Sequence, residues 1–161
     1  VGLAVINLQT NAMYADIAQF LQFELSRIGI RISVDVLPPA TLREAMARGE
    51  SPFFRASWIA DYPDAENFLA LFYSPNRAPA GPNYTRFSSS AFDKLYEAAL
   101  LARDDTTRLA LYREMDLMIQ EEAPVVFLFY DQSVRVVPHY VKGLHNNPLN
   151  HLVLKYVSIE K

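Results

Sequence analysis

Residues 5–36 read VINLQTNAMYADIAQFLQFELSRIGIRISVDV, and their hydrophobic pattern changes period twice. Val5, Ile6 and Leu8 form a short apolar run of strand type. Thr10 or Asn11 then offers a side-chain oxygen to the unpaired amides that open a helix. Tyr14, Ile17, Ala18, Leu21, Leu25 and Ile28 recur every three or four residues, which lines one helical face. Gly29 follows as a helix stop, because glycine accepts the left-handed conformation without a Cβ clash. Ile30, Ile32, Val34 and Val36 then alternate with Arg31, Ser33 and Asp35, the period of a strand with one wetter face. Strand, helix and strand at these lengths predict a parallel pair joined by a right-handed crossover.

Working outward, Pro38-Pro39 breaks the chain, and Thr41 to Glu44 has the spacing of a capping box that opens a short helix ended by Gly49. Residues 53–60 predict a strand running into the turn-rich Asp61-Tyr62-Pro63-Asp64, with a brief helix after it through Phe68, Leu69, Leu71 and Phe72. Residues 74–90 carry Pro75, Pro79, Gly81 and Pro82 and read as a long loop, a feature that tends to be functional in compact domains. Two helices follow. Ser90 with Asp93 caps the first, which turns Phe92, Leu95, Tyr96 and Ala99 inward. Asp104 or Asp105 starts the second, with Leu109, Tyr112, Met115, Met118 and Ile119 inward and Pro124 as its stop. Val125–Tyr130 predicts a strand buried on both faces, and 134–137 and 152–159 predict later strands, separated by a polar stretch with Gly143 and Pro148.

The 161 residues suit one domain, and 51% hydrophobic against 20% charged residues argues against disorder. A net charge of -3 gives no basic face for nucleic acid. No cysteine is present, which excludes a disulfide scaffold and a cysteine-ligated zinc. His139, His145 and His151 stand six apart, off any single helical face and outside any metal-binding pattern, so surface loops are expected for them. No phosphate-binding glycine loop and no nucleophile elbow occur, and neither a metal nor a cofactor is called for. Asp61, Asp64 and Glu66 do not by themselves make a glycosidase pair, which needs two carboxylates set across a sugar. The chain opens at Val1 in an apolar strand pattern without a charged leader, so the expectation is a piece of a longer protein.

The stretch Trp58-Ile59-Ala60-Asp61-Tyr62-Pro63-Asp64-Ala65-Glu66-Asn67-Phe68 resembles the Trp-x-x-Asp-Tyr-Pro-Asp-x-x-Asn-Phe signature of the family 5 extracellular solute-binding proteins, the dipeptide and oligopeptide binders of bacterial ABC importers. Tyr14 to Gly29, Asn83-Tyr84-x-x-Phe87, Phe92-Asp93-Lys94-Leu95, Ala123-Pro124-Val125-Val126, Val141-Lys142-Gly143 and Val157-Ser158-Ile159-Glu160 resemble further family segments in the same order. The resemblance implies an α/β lobe of the type II periplasmic-binding-protein kind, a mixed sheet flanked by helices. Residues 1–130 correspond to the second ligand-binding lobe, and 131–161 to a tail returning toward a first lobe that lies upstream with an export signal. It further implies a non-enzymatic, periplasmic or cell-surface protein that hands peptide to a membrane permease, with or without a lipid anchor.

An importer of many peptides must grip what all peptides share. By resemblance, Asp61 takes the amine-binding position, Trp58 walls the pocket, and Tyr62 stands beside them; Asn83 and Tyr84 on the long loop line the cleft less directly. Asp64 is expected to cap the following helix and Asn67 to hold the turn. Two other functions remain open on the sequence: a binder of a non-peptide solute such as a nickel complex, haem or an oligosaccharide, and a structural interaction module using the aromatic loop 74–87. A lone lobe is also expected to bind weakly and to self-associate through its unpaired tail.

Overall fold

A computed structural model describes residues 4–147 and 149–160. The expectations resting on Val1–Leu3 and on the break at Pro148 lie outside the described residues. The opening unit forms as its periodicity predicts: β1 (Ile6–Thr10), α1 (Ala15–Arg27) and β2 (Ile32–Val36), with β1 and β2 parallel and Ile6 opposite Ile32. Asn11 supplies the cap, accepting from the Met13 amide ahead of a single tight turn at 12–14, and Gly29 sits at φ 84° just past α1. Leu8, Ala18 and Ile32 are the buried centre, with Leu21, Leu25 and Val34 packed around them, whereas Ile28 at the end of the helix is exposed.

The segment at 53–55 adds to the free side of β1. Gln9 pairs in parallel with Phe54, its amide donates to Phe53 O (3.0 Å), and the Arg55 amide donates to Gln9 O (2.9 Å). Three parallel segments thus run in the order β2, β1, 53–55, shorter than the strand expected over 53–60. The remainder leaves the ladder as loop toward Asp61.

α2 (Pro39–Arg48) begins two residues before the predicted capping box, and Pro38 ahead of it makes no side-chain cap. Proline at the first helical position is already set at a helical φ and lacks an amide that would go unpaired, so Pro39 starts the helix and Thr41 falls inside it. Gly49 ends α2 at φ 77°, and the Arg86 guanidinium lies where a Cβ on Gly49 would stand. That guanidinium donates to Ala47 O (2.9 Å) and Met46 O (3.2 Å), clamping the long loop onto the end of α2.

α3 (Glu66–Leu69), α4 (Ser90–Leu101) and α5 (Asp105–Glu122) enclose the larger core of Leu69, Phe72, Phe92, Tyr96, Ala99, Tyr112, Met115 and Ile119. Ser89 caps α4, accepting from the Phe92 amide, one residue before the predicted Ser90; Asp93 accepts from the Ser74 amide instead (3.0 Å) and ties the loop to the helix. Asp104 caps α5 through the Thr107 amide and hydroxyl. Leu109, expected inward, is about half exposed, since the stripe through Tyr112, Met115 and Ile119 fills the contact with α4.

After Ala123, at φ 46°, the chain departs from expectation. Val125–Tyr130 and 134–137 form no ladder, and of 152–159 only β4 (Ser158–Ile159) pairs, antiparallel with β3 (Val141–Lys142). Tyr130 and Val136 are more than nine-tenths exposed. The buried strand predicted from this apolar run therefore has no neighbouring strand among the described residues.

Candidate functional site

In parallel sheets the loops that follow the strands gather at one edge, where ligands bind. Here those loops are 11–14 after β1, 37–39 after β2, and 56–61 after the 53–55 segment. An apolar cleft of about 510 Å³ opens between the first two, lined by Met13, Val36, Leu37, Pro38 and Pro39. Across this edge the Arg55 guanidinium stacks on the Tyr14 ring, 3.1 Å from its centroid, and donates to Ser57 Oγ (3.0 Å).

Trp58 and Asp61 sit on the third loop and meet at one atom. Asn67, buried on α3, offers Oδ1 to the Trp58 indole N–H (2.7 Å) and to the Asp61 backbone N–H (3.3 Å). The indole is half-buried; the Asp61 side chain is exposed and makes no hydrogen bond or ion pair to the protein among the described residues. The one acidic group in the 61–66 turn left without a protein partner is thus Asp61.

Its acidic neighbours are occupied. Asp64 Oδ1 accepts from the Glu66 amide (2.9 Å) and Oδ2 from Arg108, which also donates to Asp105 (2.9 Å). Burial alone lifts the Asp64 pKa, but the Glu66 amide, the Tyr112 hydroxyl and Arg108 outweigh it, and the carboxyl titrates below its ordinary value. Glu66 accepts from the hydroxyls of Tyr62 and Tyr96. Burial first, and then the bond to Glu66, push the Tyr96 hydroxyl far up; for Tyr62 the bond to Glu66 leads and burial adds to it. Tyr62, Asp64, Glu66, Arg108 and Tyr112 line a second, polar cleft of about 410 Å³ with Arg103, to which neither Trp58 nor Asp61 contributes.

The structure brings Trp58, Asp61 and Tyr62 together on one turn. Asn83 lies inside its own loop. It is fully buried, its amide donates to Tyr73 O (3.2 Å) and Phe87 O (2.9 Å), and its Oδ1 accepts from Thr85 (3.0 Å), so it holds the 74–87 loop together. Tyr84 is half-buried on the same loop, with its carbonyl accepting from Arg86 (3.4 Å). The three histidines are exposed, and no cluster able to hold a metal occurs among the described residues. Sequence reasoning missed Glu66 and Arg108, whose partners lie on other elements; Asn67 was visible only as part of the motif.

Residues 2–80 match the family model described as bacterial extracellular solute-binding proteins, family 5 Middle. Di/tripeptide-binding protein 2 of Pseudomonas aeruginosa is 27% identical over 136 residues, covering 84% of this chain and 26% of that protein. Di/tripeptide-binding protein 4 of the same organism is 30% identical over 133 residues, 83% of this chain and 25% of its own length. Among solved structures, the periplasmic binding protein DppA from Helicobacter pylori, in complex with the peptide STSA, aligns with a TM-score of 0.82 at 28% identity, over 98% of this chain and 31% of that one. The chain thus spans about a quarter of the length of the curated relatives it matches, and their α/β fold runs through nearly all of it.

Proposed function

We propose that this chain is a bacterial extracellular solute-binding protein of family 5, supported by the match over residues 2–80 and by the fold shared with DppA, that it is the second lobe of a peptide-capturing protein and that Asp61 holds the peptide's α-ammonium. The observation that carries this reading is Asp61 itself: its carboxylate is exposed and without a protein partner among the described residues, and its backbone amide is fixed to the atom that anchors the Trp58 indole. An ammonium brought there gains a charge-assisted bond and an aromatic wall. The half-buried indole supplies apolar area regardless of the peptide's side chains, which suits a carrier that accepts many sequences. Tyr62, its hydroxyl turned to Glu66, borders the same turn, and Tyr84 lines the loop beyond it.

In this reading the protein does no chemistry. Two lobes close on the peptide by a hinge motion, and the closed form docks on a membrane permease outside the cytoplasm. Residues 1–130 form the gripping lobe. Exposed apolar side chains after residue 131, Val134, Val136, Leu152, Leu154 and Tyr156 among them, support a tail that pairs with the first lobe and, in the isolated chain, with a second copy.

The test is calorimetric titration of the full-length protein with a tripeptide and with its N-acetylated form. A buried charge-assisted bond contributes about 1.5–3 kcal/mol, or roughly ten- to a hundred-fold in affinity. Asp61→Ala is expected to weaken the free peptide by that factor and to leave the already weak acetylated peptide unchanged. Equal affinity of the wild-type protein for both peptides overturns the amine clamp.

A further inference from the structure

The amine-binding reading concerns a carboxylate; the structure says more about what aims it. Asn67 is the one polar side chain of α3 that is buried, and α3 is fastened to the larger core through Leu69, its buried neighbour two residues on. The two acceptor positions of its Oδ1 face the loop at Trp58 Nε1 (2.7 Å) and Asp61 N (3.3 Å). One planar group, rigidly based, therefore sets the wall and the acidic residue of a turn that lies outside any helix or strand.

We infer that Asn67 is a positioning residue that locks the Trp58 indole and the Asp61 backbone into one unit, so that recognition of a primary ammonium depends on its amide oxygen. This inference rests on the amine-binding reading and adds to it the device that makes it selective. A carboxylate meets an ammonium at about 2.7–2.9 Å, and a displacement near 1 Å loses the bond. Side chains on loops drift by that much unless a second group holds them. Without the Asn67 oxygen, the indole N–H and the Asp61 amide lose their shared anchor, and the carboxylate keeps its charge but not its place.

The experiment uses the full-length protein with two variants. Asn67→Leu fills nearly the same space without an acceptor; Asn67→Asp keeps an oxygen in the same position. Each is titrated with a tripeptide and its N-acetylated form, beside Asp61→Ala. For Asn67→Leu the free peptide is expected to weaken about ten-fold or more while the acetylated peptide moves less than about two-fold, so that discrimination collapses. Asn67→Asp is expected to restore discrimination. A merely structural role predicts equal weakening of both peptides, and that result, or discrimination retained in Asn67→Leu, overturns the inference. If Asp61→Ala also leaves discrimination intact, the amine clamp itself falls; if Asp61→Ala abolishes it and Asn67→Leu does not, only the role of Asn67 falls. Independently of any variant, the Trp58 indole proton in the wild-type protein must exchange slowly with solvent, and rapid exchange contradicts the anchored bond. Trp58 is the only tryptophan of this chain, and a Trp58→Phe comparison identifies its signal in the whole protein.

Discussion

Replacing Asp64 by alanine tests whether the turn that carries the site is held from outside its own sequence. Asp64 Oδ1 caps the turn into α3 through the Glu66 amide, and Oδ2 reaches α5 through Arg108. The cap contributes about 1 kcal/mol. The bond to Arg108 joins two charged groups whose side chains are 26% and 32% exposed, which places it between a surface pair and a buried one, at about 1–2 kcal/mol. Arg108 keeps its bond to Asp105 after the change, which limits the damage. The expected loss at neutral pH is therefore about 2–3 kcal/mol.

The pH dependence gives the stricter test. The folded-state pKa of Asp64 lies below its ordinary value because its hydrogen bonds and Arg108 overcome burial. A carboxyl depressed on folding stabilises above the unfolded value of about 3.9 and loses that contribution as the pH falls through the folded value. The gap between wild type and Asp64→Ala should thus stay level from neutral pH to about pH 5 and narrow below about pH 4. Urea unfolding of the 161-residue chain, followed by far-ultraviolet circular dichroism across that range, measures it. A gap under about 0.5 kcal/mol at neutral pH, or one that widens on acidification, would refute the reasoning.

Met115→Ala removes a side chain with no exposure from the contact of α4 with α5, and about 2–5 kcal/mol should be lost in the same urea assay. Asn83→Ala strips the Tyr73 and Phe87 carbonyls of their donor, at a cost of at least about 2 kcal/mol; limited proteolysis should then cut first within residues 74–87, and cleavage unchanged from wild type would contradict the loop-holding role.

What the sequence disclosed and what it concealed divide by the range of the forces involved. The unit β1–α1–β2 was legible because Ile32, Val34 and Val36 alternate while Ala18, Leu21 and Leu25 recur at helical spacing, and each pattern is complete within its own element. Asp104 at the head of α5 was legible for the same local reason. The capping box at Thr41 misled because Pro39, two residues earlier, starts the helix without needing a cap. In the site, the Trp58–Asp61 turn could be located by its motif. Nothing near Asn83 in sequence distinguishes an amide facing a ligand from one that closes its own loop, apart from Thr85 two residues on. Glu66 is shared between Tyr62 beside it and Tyr96 thirty positions away, a pairing set only when α4 packs.

The end of the lobe, where it leads into the tail, is where local and non-local forces disagree, and the disagreement supports the two-lobe proposal. Val125–Tyr130 has the composition of a strand buried on both faces, yet Val126, Phe127, Phe129 and Tyr130 are all more than half exposed. Burying each such side chain stabilises by about 1.5–3 kcal/mol, so these four alone represent roughly 6–12 kcal/mol gross, comparable to the whole net stability of an ordinary domain. A ladder would bury such a run while pairing its amides, and among the described residues only β3 and β4 form one after Ala123, two residues long. In the two-lobe proposal the neighbour strand comes from the first lobe. In relatives about three times as long the same stretch lies within a larger chain, and in the two-lobe proposal a first lobe that contributes this strand would tie the two lobes together at this point.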